Sequence, residues 1–129
     1  MAKERVFISF DFDHDEDLRN LLVGQSKHSD TPFEIADYSL RNELSGDWKE
    51  KVRARIKRVD QVIVICGEHT NTATGVSAEL NITKEEGKKY FLLYGRSGKD
   101  CVRPTAANST EKMYKWTWEN LKELIHGGR

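Results

Sequence analysis

The sequence predicts a three-layer α/β sandwich of the flavodoxin-like kind, built on a parallel sheet whose strand order begins 2-1-3-4. Three observations carry this prediction. Short β-branched and aromatic runs alternate with stretches of helical period, the pattern of strands joined by right-handed crossovers. One run, Gln61-Val62-Ile63-Val64-Ile65-Cys66, is almost wholly apolar, as a parallel strand covered on both faces must be. The chain has 129 residues, enough for one domain with its own core over residues 1–129 and too few for two.

The elements follow in order. Arg5-Val6-Phe7-Ile8-Ser9-Phe10 reads as the first strand, and the acidic stretch from Asp11 to Asp17 suits a helix N-terminus, where the dipole favours negative charge. Leu18, Leu21 and Leu22 then recur at helical spacing. Pro32 closes the connection into Phe33-Glu34-Ile35-Ala36-Asp37, whose alternation marks a half-exposed edge strand. Ser39 to Asp47 has loop composition, and Trp48, Val52, Ile56 and Val59 form one stripe of a helix whose other face is basic.

Gln61–Cys66 is the expected sheet centre. Beyond it, Val76, Leu80 and Thr83 continue a helix to Gly87, placed as its C-terminal stop, and Lys89-Tyr90-Phe91-Leu92-Leu93-Tyr94 is the next strand. From Gly95 to Lys115 the chain is polar and aperiodic. A structureless segment that long is unusual in a compact domain, which leaves room for a short strand around Cys101 to Arg103. Trp118, Leu121, Leu124 and Ile125 make a last amphipathic helix; Trp116, two residues earlier, points to a different face.

Composition removes several function classes. Lys and Arg balance Asp and Glu at 21 each, so no global field attracts nucleic acid or an anionic membrane. No apolar run approaches the ~20 residues needed to cross a bilayer, and Met1 to Arg5 leads into a strand, so a cytoplasmic protein is expected. Cys66 ends an apolar run and Cys101 stands in a polar loop; Cys66 reads as a small buried hydrophobe rather than a reactive thiol. His14, His28, His69 and His126 lack ligand spacing, so no metal is expected.

In open parallel sheets ligands bind beyond the C-terminal strand ends, where the strand order reverses. Here that crevice sets Ser9, Phe10 and Asp11 opposite Gly67, Glu68 and His69. Three chemistries compete for it. Thr72-Ala73-Thr74-Gly75-Val76-Ser77 fits a T-x-T-G-x-S flavin phosphate loop, but such a loop follows the first strand and this one follows the third. Thr70, Asn71, Thr72 and Thr74 read better as turn and N-cap residues. Asp11, Asp13 and Asp15 mimic the Mg²⁺ site of a receiver domain, yet Cys66, Gly67 and Glu68 stand where the phosphoacceptor aspartate is needed; a solvated helix start explains the cluster better. Glu79 is the third candidate. On a helix beginning near Thr74 it lies ~60° from the Val76/Leu80 stripe, at the boundary of core and solvent, one turn in and close to the strand ends.

Together, Arg5 to Phe10, Asp37-Tyr38-Ser39-Leu40, the Trp48 helix, Asp60 leading into Val62 to Ile65, and a Thr ahead of Glu79-Leu80 resemble a TIR-like domain. The likeness is to small bacterial and archaeal TIR-like proteins, including the Thoeris antiphage subunit, and spans most of Arg5 to Tyr94. The resemblance implies a TIR fold and NAD⁺ processing: cleavage of the nicotinamide–ribose bond, with an ADP-ribose-derived product serving as a signal. On that reading Glu79 is the catalytic residue, and Ser9, Phe10, Asp11, Asp37, Tyr38, Ser39, Leu40, Trp48 and His69 are the substrate-binding candidates. No cofactor is implied beyond NAD⁺ as substrate. The implied partners are further copies of the chain on activation, a phage-derived trigger, and an effector reached through the product. Many members carry a tryptophan four residues before the glutamate; this chain has Gly75, which removes an aromatic wall. A non-catalytic adaptor acting by self-association is the alternative.

Overall fold

The computed structural model describes residues 3–29, 31–35 and 47–127. Asp37, Tyr38, Ser39 and Leu40 lie outside the described residues. Five parallel strands, β1 (Glu4–Ser9), β2 (Phe33–Ile35), β3 (Gln61–Cys66), β4 (Lys89–Tyr94) and β5 (Met113–Lys115), form one sheet in the order β2-β1-β3-β4-β5. Four helices, α1 (Glu16–Ser26), α2 (Trp48–Lys57), α3 (Thr74–Glu85) and α4 (Trp118–Ile125), cover it. The predicted order 2-1-3-4 holds, β2 is an edge, and β3 is the centre with all six residues buried.

Strand alternation sorts the core into two halves, because successive side chains point to opposite faces. Val6, Ile8, Ile63, Ile65, Phe91 and Leu93 pack against α1 and α4 through Leu18, Leu22, Leu121, Leu124 and Ile125. Phe7, Val62, Val64, Cys66 and Leu92 pack against α2 and α3 through Trp48, Val52, Ile56, Val76 and Leu80. These are the three layers that the apolar periodicity predicts. The side chain of Asp60 accepts from the backbone N–H of Arg5 at 2.8 Å, and the Asp60 N–H donates to the Arg5 carbonyl at 2.8 Å, so β3 is set beside β1 at its first residue. Gly87, with φ +67°, ends α3 in the left-handed conformation that glycine adopts without steric cost.

Several expectations are corrected. The missing strand is Met113–Lys115, paired to β4 at Leu92 and Met113, and not Cys101–Arg103. Three residues with polar neighbours give no period, and only pairing with β4 makes them a strand. Cys101 is buried rather than solvated, and both cysteines are free. Leu21, read as part of the α1 stripe, is 56% exposed; the buried face of α1 carries Leu18 and Leu22 alone. Trp116 and Trp118 both flank the α1/α4 half of the core. Trp116 precedes α4, so helical spacing does not divide the pair.

Candidate functional site

Parallel pairing aligns Ser9 at the end of β1 with Val64 in β3, and the chain continues past both at one edge of the sheet. α3 returns over this edge and brings Glu79 to β1. The hydroxyl of Ser9 donates to Glu79 Oε1 at 2.5 Å, joining residues 70 positions apart. Glu79 is 3% exposed, deeper than the boundary position that its angle on the helix predicts. The difference lies in its neighbour: a completely buried serine supplies a donor where helix geometry alone gives only an apolar wall. Such a pairing is what makes a buried carboxylate tolerable.

The segment before α3 is a 3₁₀ turn, Thr70–Thr72. Thr70 Oγ1 accepts from the Gly67 N–H at 2.7 Å, and the Thr72 hydroxyl donates to the His69 carbonyl at 2.9 Å. These hydroxyls are turn residues, as expected, but the N-cap of α3 is Ala73, which gives no side-chain cap. Thr74 is the first helical residue and Gly75 is buried in the first turn. A small hollow of about 100 Å³ lies between this turn and the loop after β1, lined by Phe10 to Asp13 and Thr72 to Val76. Thus Phe10 and Asp11 border the predicted crevice together with Gly75.

Phe10 is buried in the α1/α4 half of the core, its ring 4.4 Å from that of Phe12. Phe12, half-buried at the lip of the hollow, is better placed than Phe10 to stack on a ligand ring. Composition gave no reason to separate the two phenylalanines, since the bend after β1 decides which one turns inward. Trp48 is buried against α3 and the sheet, and its Nε1–H meets no acceptor among the described residues.

The acidic cluster is not the solvated helix start that charge alone suggests. Asp11 and Asp15 are buried, and Asp13 is exposed. Asp11 accepts from the Asp13 N–H at 3.0 Å and from His14 Nδ1 at 2.7 Å. The hydrogen bond to Asp11 raises the His14 pKa above its ordinary value, against the opposing effect of desolvation. His69, exposed as expected, stacks on His14 with ring centroids 4.0 Å apart, and neither is among the described residues that line the hollow.

Asp15 is 1% exposed, and burial pushes its carboxyl pKa up although Arg96 opposes the shift. Arg96, in the loop after β4, reaches Asp15 Oδ1 at 3.2 Å, Asp17 Oδ1 at 2.7 Å and the His14 carbonyl at 2.9 Å. The same guanidinium holds the Asp17 carboxyl below its usual range. Among the described residues Asp15 Oδ2 has no hydrogen-bond partner. A Cβ on Gly67 would sit 2.2 Å from that oxygen, so the turn after β3 must have no side chain there. Sequence reasoning missed Arg96 because its partners stand about eighty residues earlier. Among the described residues no group of three or more His, Cys, Asp and Glu is arranged to hold a metal ion. Burial lifts the Cys66 thiol pKa to about 12, as suits an inert core residue.

Comparison with known proteins agrees with this architecture. A family model described as Thoeris protein ThsB, TIR-like domain, matches residues 7–100. No curated protein matches the sequence. Among solved structures, the crystal structure of a prokaryotic SEFIR domain is similar at 22% identity and a TM-score of 0.57, covering 96% of this chain and 91% of that one. At that identity the likeness concerns the fold.

Proposed function

The chain belongs to the TIR-like domain family of the Thoeris protein ThsB, and on that premise we propose that it is an NAD⁺-consuming signalling enzyme of antiphage defence with Glu79 as its catalytic residue. One observation carries the proposal: a desolvated carboxylate on α3, hydrogen-bonded to Ser9, next to the crevice where β1 and β3 diverge. Cleavage breaks the bond between ribose C1′ and the pyridinium nitrogen. The electron pair leaves with neutral nicotinamide, so no general acid is required. Positive charge develops on the ribose, where a carboxylate with few waters around it stabilises an oxocarbenium-like transition state strongly. Water, or a nucleophile within the ADP-ribosyl group, then bonds to C1′. Phe12 offers a face to a ring, and Asp11 lines the same hollow.

The hollow of about 100 Å³ is smaller than the usual ~300–1,000 Å³ of a ligand site, so NAD⁺ needs a wider crevice. Self-association after a phage-derived trigger would supply it, with the soluble product carrying the signal to an effector inside the cell. Among the described residues no helix is long and apolar enough to cross a membrane. The test compares wild type with Glu79→Gln, each alone and as an enforced oligomer, following NAD⁺ and products by mass spectrometry. We expect at least a hundredfold loss on substitution, with the circular dichroism spectrum retained. Absence of Glu79-dependent NAD⁺ consumption from every arm, including cells challenged with phage, would sink the reading.

A second reading, a TIR-like adaptor that works by self-association, is favoured by the burial of Glu79 beside so small a hollow, with Gly75 in place of an aromatic wall. It predicts that Glu79→Ala leaves phage protection intact while substitutions between Ser39 and Asp47 abolish it.

A further inference from the structure

A cleft of about 550 Å³ opens on the α1 and α4 side of the sheet, between α1 on one side and, on the other, the end of β4 with the loop after it, β5 and Trp116; Glu79 is not among its lining residues. It runs into a second hollow of about 460 Å³ that shares Leu21 and Gln25 with it. Both volumes fall in the range of small-molecule sites. The walls are aromatic and fixed: the Trp116 indole N–H donates to Gln25 Oε1 at 2.9 Å, and the Trp118 ring leans on His28 at 5.3 Å. Leu21 forms the opposite lip and is the exposed large hydrophobic side chain among the described residues. Gly24 adds no bulk to the floor, with open space where a Cβ would stand.

Charge distinguishes this cleft from the rest of the surface. Among the described residues no Asp or Glu lines either hollow, whereas Lys115 lines the first and His28 the second. An anion at Lys115 therefore meets attraction, and no carboxylate of the described residues at the walls opposes it. A protein partner would want a broad apolar patch, but among the described large hydrophobic side chains Leu21 alone is exposed, and the apolar surface of the cleft is otherwise recessed. Indole walls suit a flat ring, which stacks or meets them edge-on.

We propose that this cleft binds a planar aromatic molecule carrying one anionic group, a phosphate or a carboxylate, with the ring between Leu21 and Trp116 and the anion at Lys115. The site is separate from the Glu79 crevice and does not depend on NAD⁺ cleavage.

Three indole N–H resonances make the test self-referenced, because Trp48 lies in the other half of the core. The ¹⁵N-labelled chain is titrated with adenosine 5′-monophosphate and with indole-3-acetate, and adenosine serves as the uncharged control. Saturable shifts at Trp116 and Trp118 are expected with at least one of the two anions, and which one responds tells phosphate from carboxylate. Adenosine should bind at least tenfold more weakly than its monophosphate where the phosphate is the anion recognised. Leu21→Glu and Lys115→Glu change exposed positions that the fold does not need, and each should weaken binding at least tenfold, whereas Glu79→Gln should not. The proposal falls if neither anion moves Trp116 and Trp118 at millimolar concentration, or if shifts are confined to Trp48. It also falls if both glutamate variants bind as the wild type does, or if Leu21→Glu alters only the sedimentation state.

Discussion

Ser9 Oγ donates a hydrogen bond to Glu79 Oε1 that helps hold a carboxylate inside this fold. Ser9→Ala removes the donor and leaves the oxygen buried, and losing a hydrogen bond to a charged group costs about 1.5–3 kcal/mol. Urea denaturation should show a loss of that size, while Glu79→Gln, which keeps an acceptor for Ser9, should lose less. At the crevice lip, Asp11 holds the His14 pKa up. A histidine raised in the folded state adds stability below its unfolded value of ~6.5, and the contribution fades as pH rises through the raised value. In Asp11→Asn the His14 titration followed by NMR should therefore move down; an unchanged midpoint would mean that Asp11 is not its partner in solution. Strand order set Ser9 at the crevice opposite Gly67 to His69, and helical angle set Glu79 near the strand ends; that the two meet in a hydrogen bond is shown only by the structure. Their depth was not legible, because burial depends on which residues the β1–α1 loop folds over them.

The elements were legible where apolar period and length agree. β3 and β4 run as predicted, and α2 begins at Trp48 with the stripe Trp48, Val52, Ile56. β5 was hidden because its stability comes from β4 rather than from its own three residues. The contact between the turn after β3 and the start of α1 was hidden for a related reason: Gly67, Asp15 and Arg96 come from three distant segments. Their packing makes a sharp prediction. Gly67→Ala places a methyl group against a carboxylate that Arg96 restrains, and overpacking of this kind costs about 1–3 kcal/mol. Shortening the neighbour should remove the conflict, so Gly67→Ala in an Asp15→Ala background should cost much less than in the wild type. A double-mutant cycle by urea unfolding measures the coupling, and additive effects would show that the loop relaxes without touching α1.

For the whole molecule, order and layering followed from alternation alone: strands that bury both faces need helices on both faces, and right-handed crossovers then leave few arrangements. The likeness to the TIR-like family model ends at residue 100, but the core does not. Leu121, Leu124 and Ile125 of α4 are completely or almost completely buried against the face shared with α1, and Gln61 Nε2 of the central strand donates to the Ile125 carbonyl at 2.7 Å. Each such side chain contributes about 1.5–3 kcal/mol on burial, so the three together approach the ~5–15 kcal/mol by which a whole domain is stable. Losing β5 as well uncovers the outer edge of β4. A chain ending at residue 100 should therefore keep strand-forming sequence but no cooperative fold, with a collapsed near-ultraviolet circular dichroism signal and no urea transition, while the chain through residue 127 unfolds in one step. If the shorter chain instead unfolded cooperatively, the α1 face of the sheet would have to close without α4, and the two-sided core described above would not be what holds β3 in place.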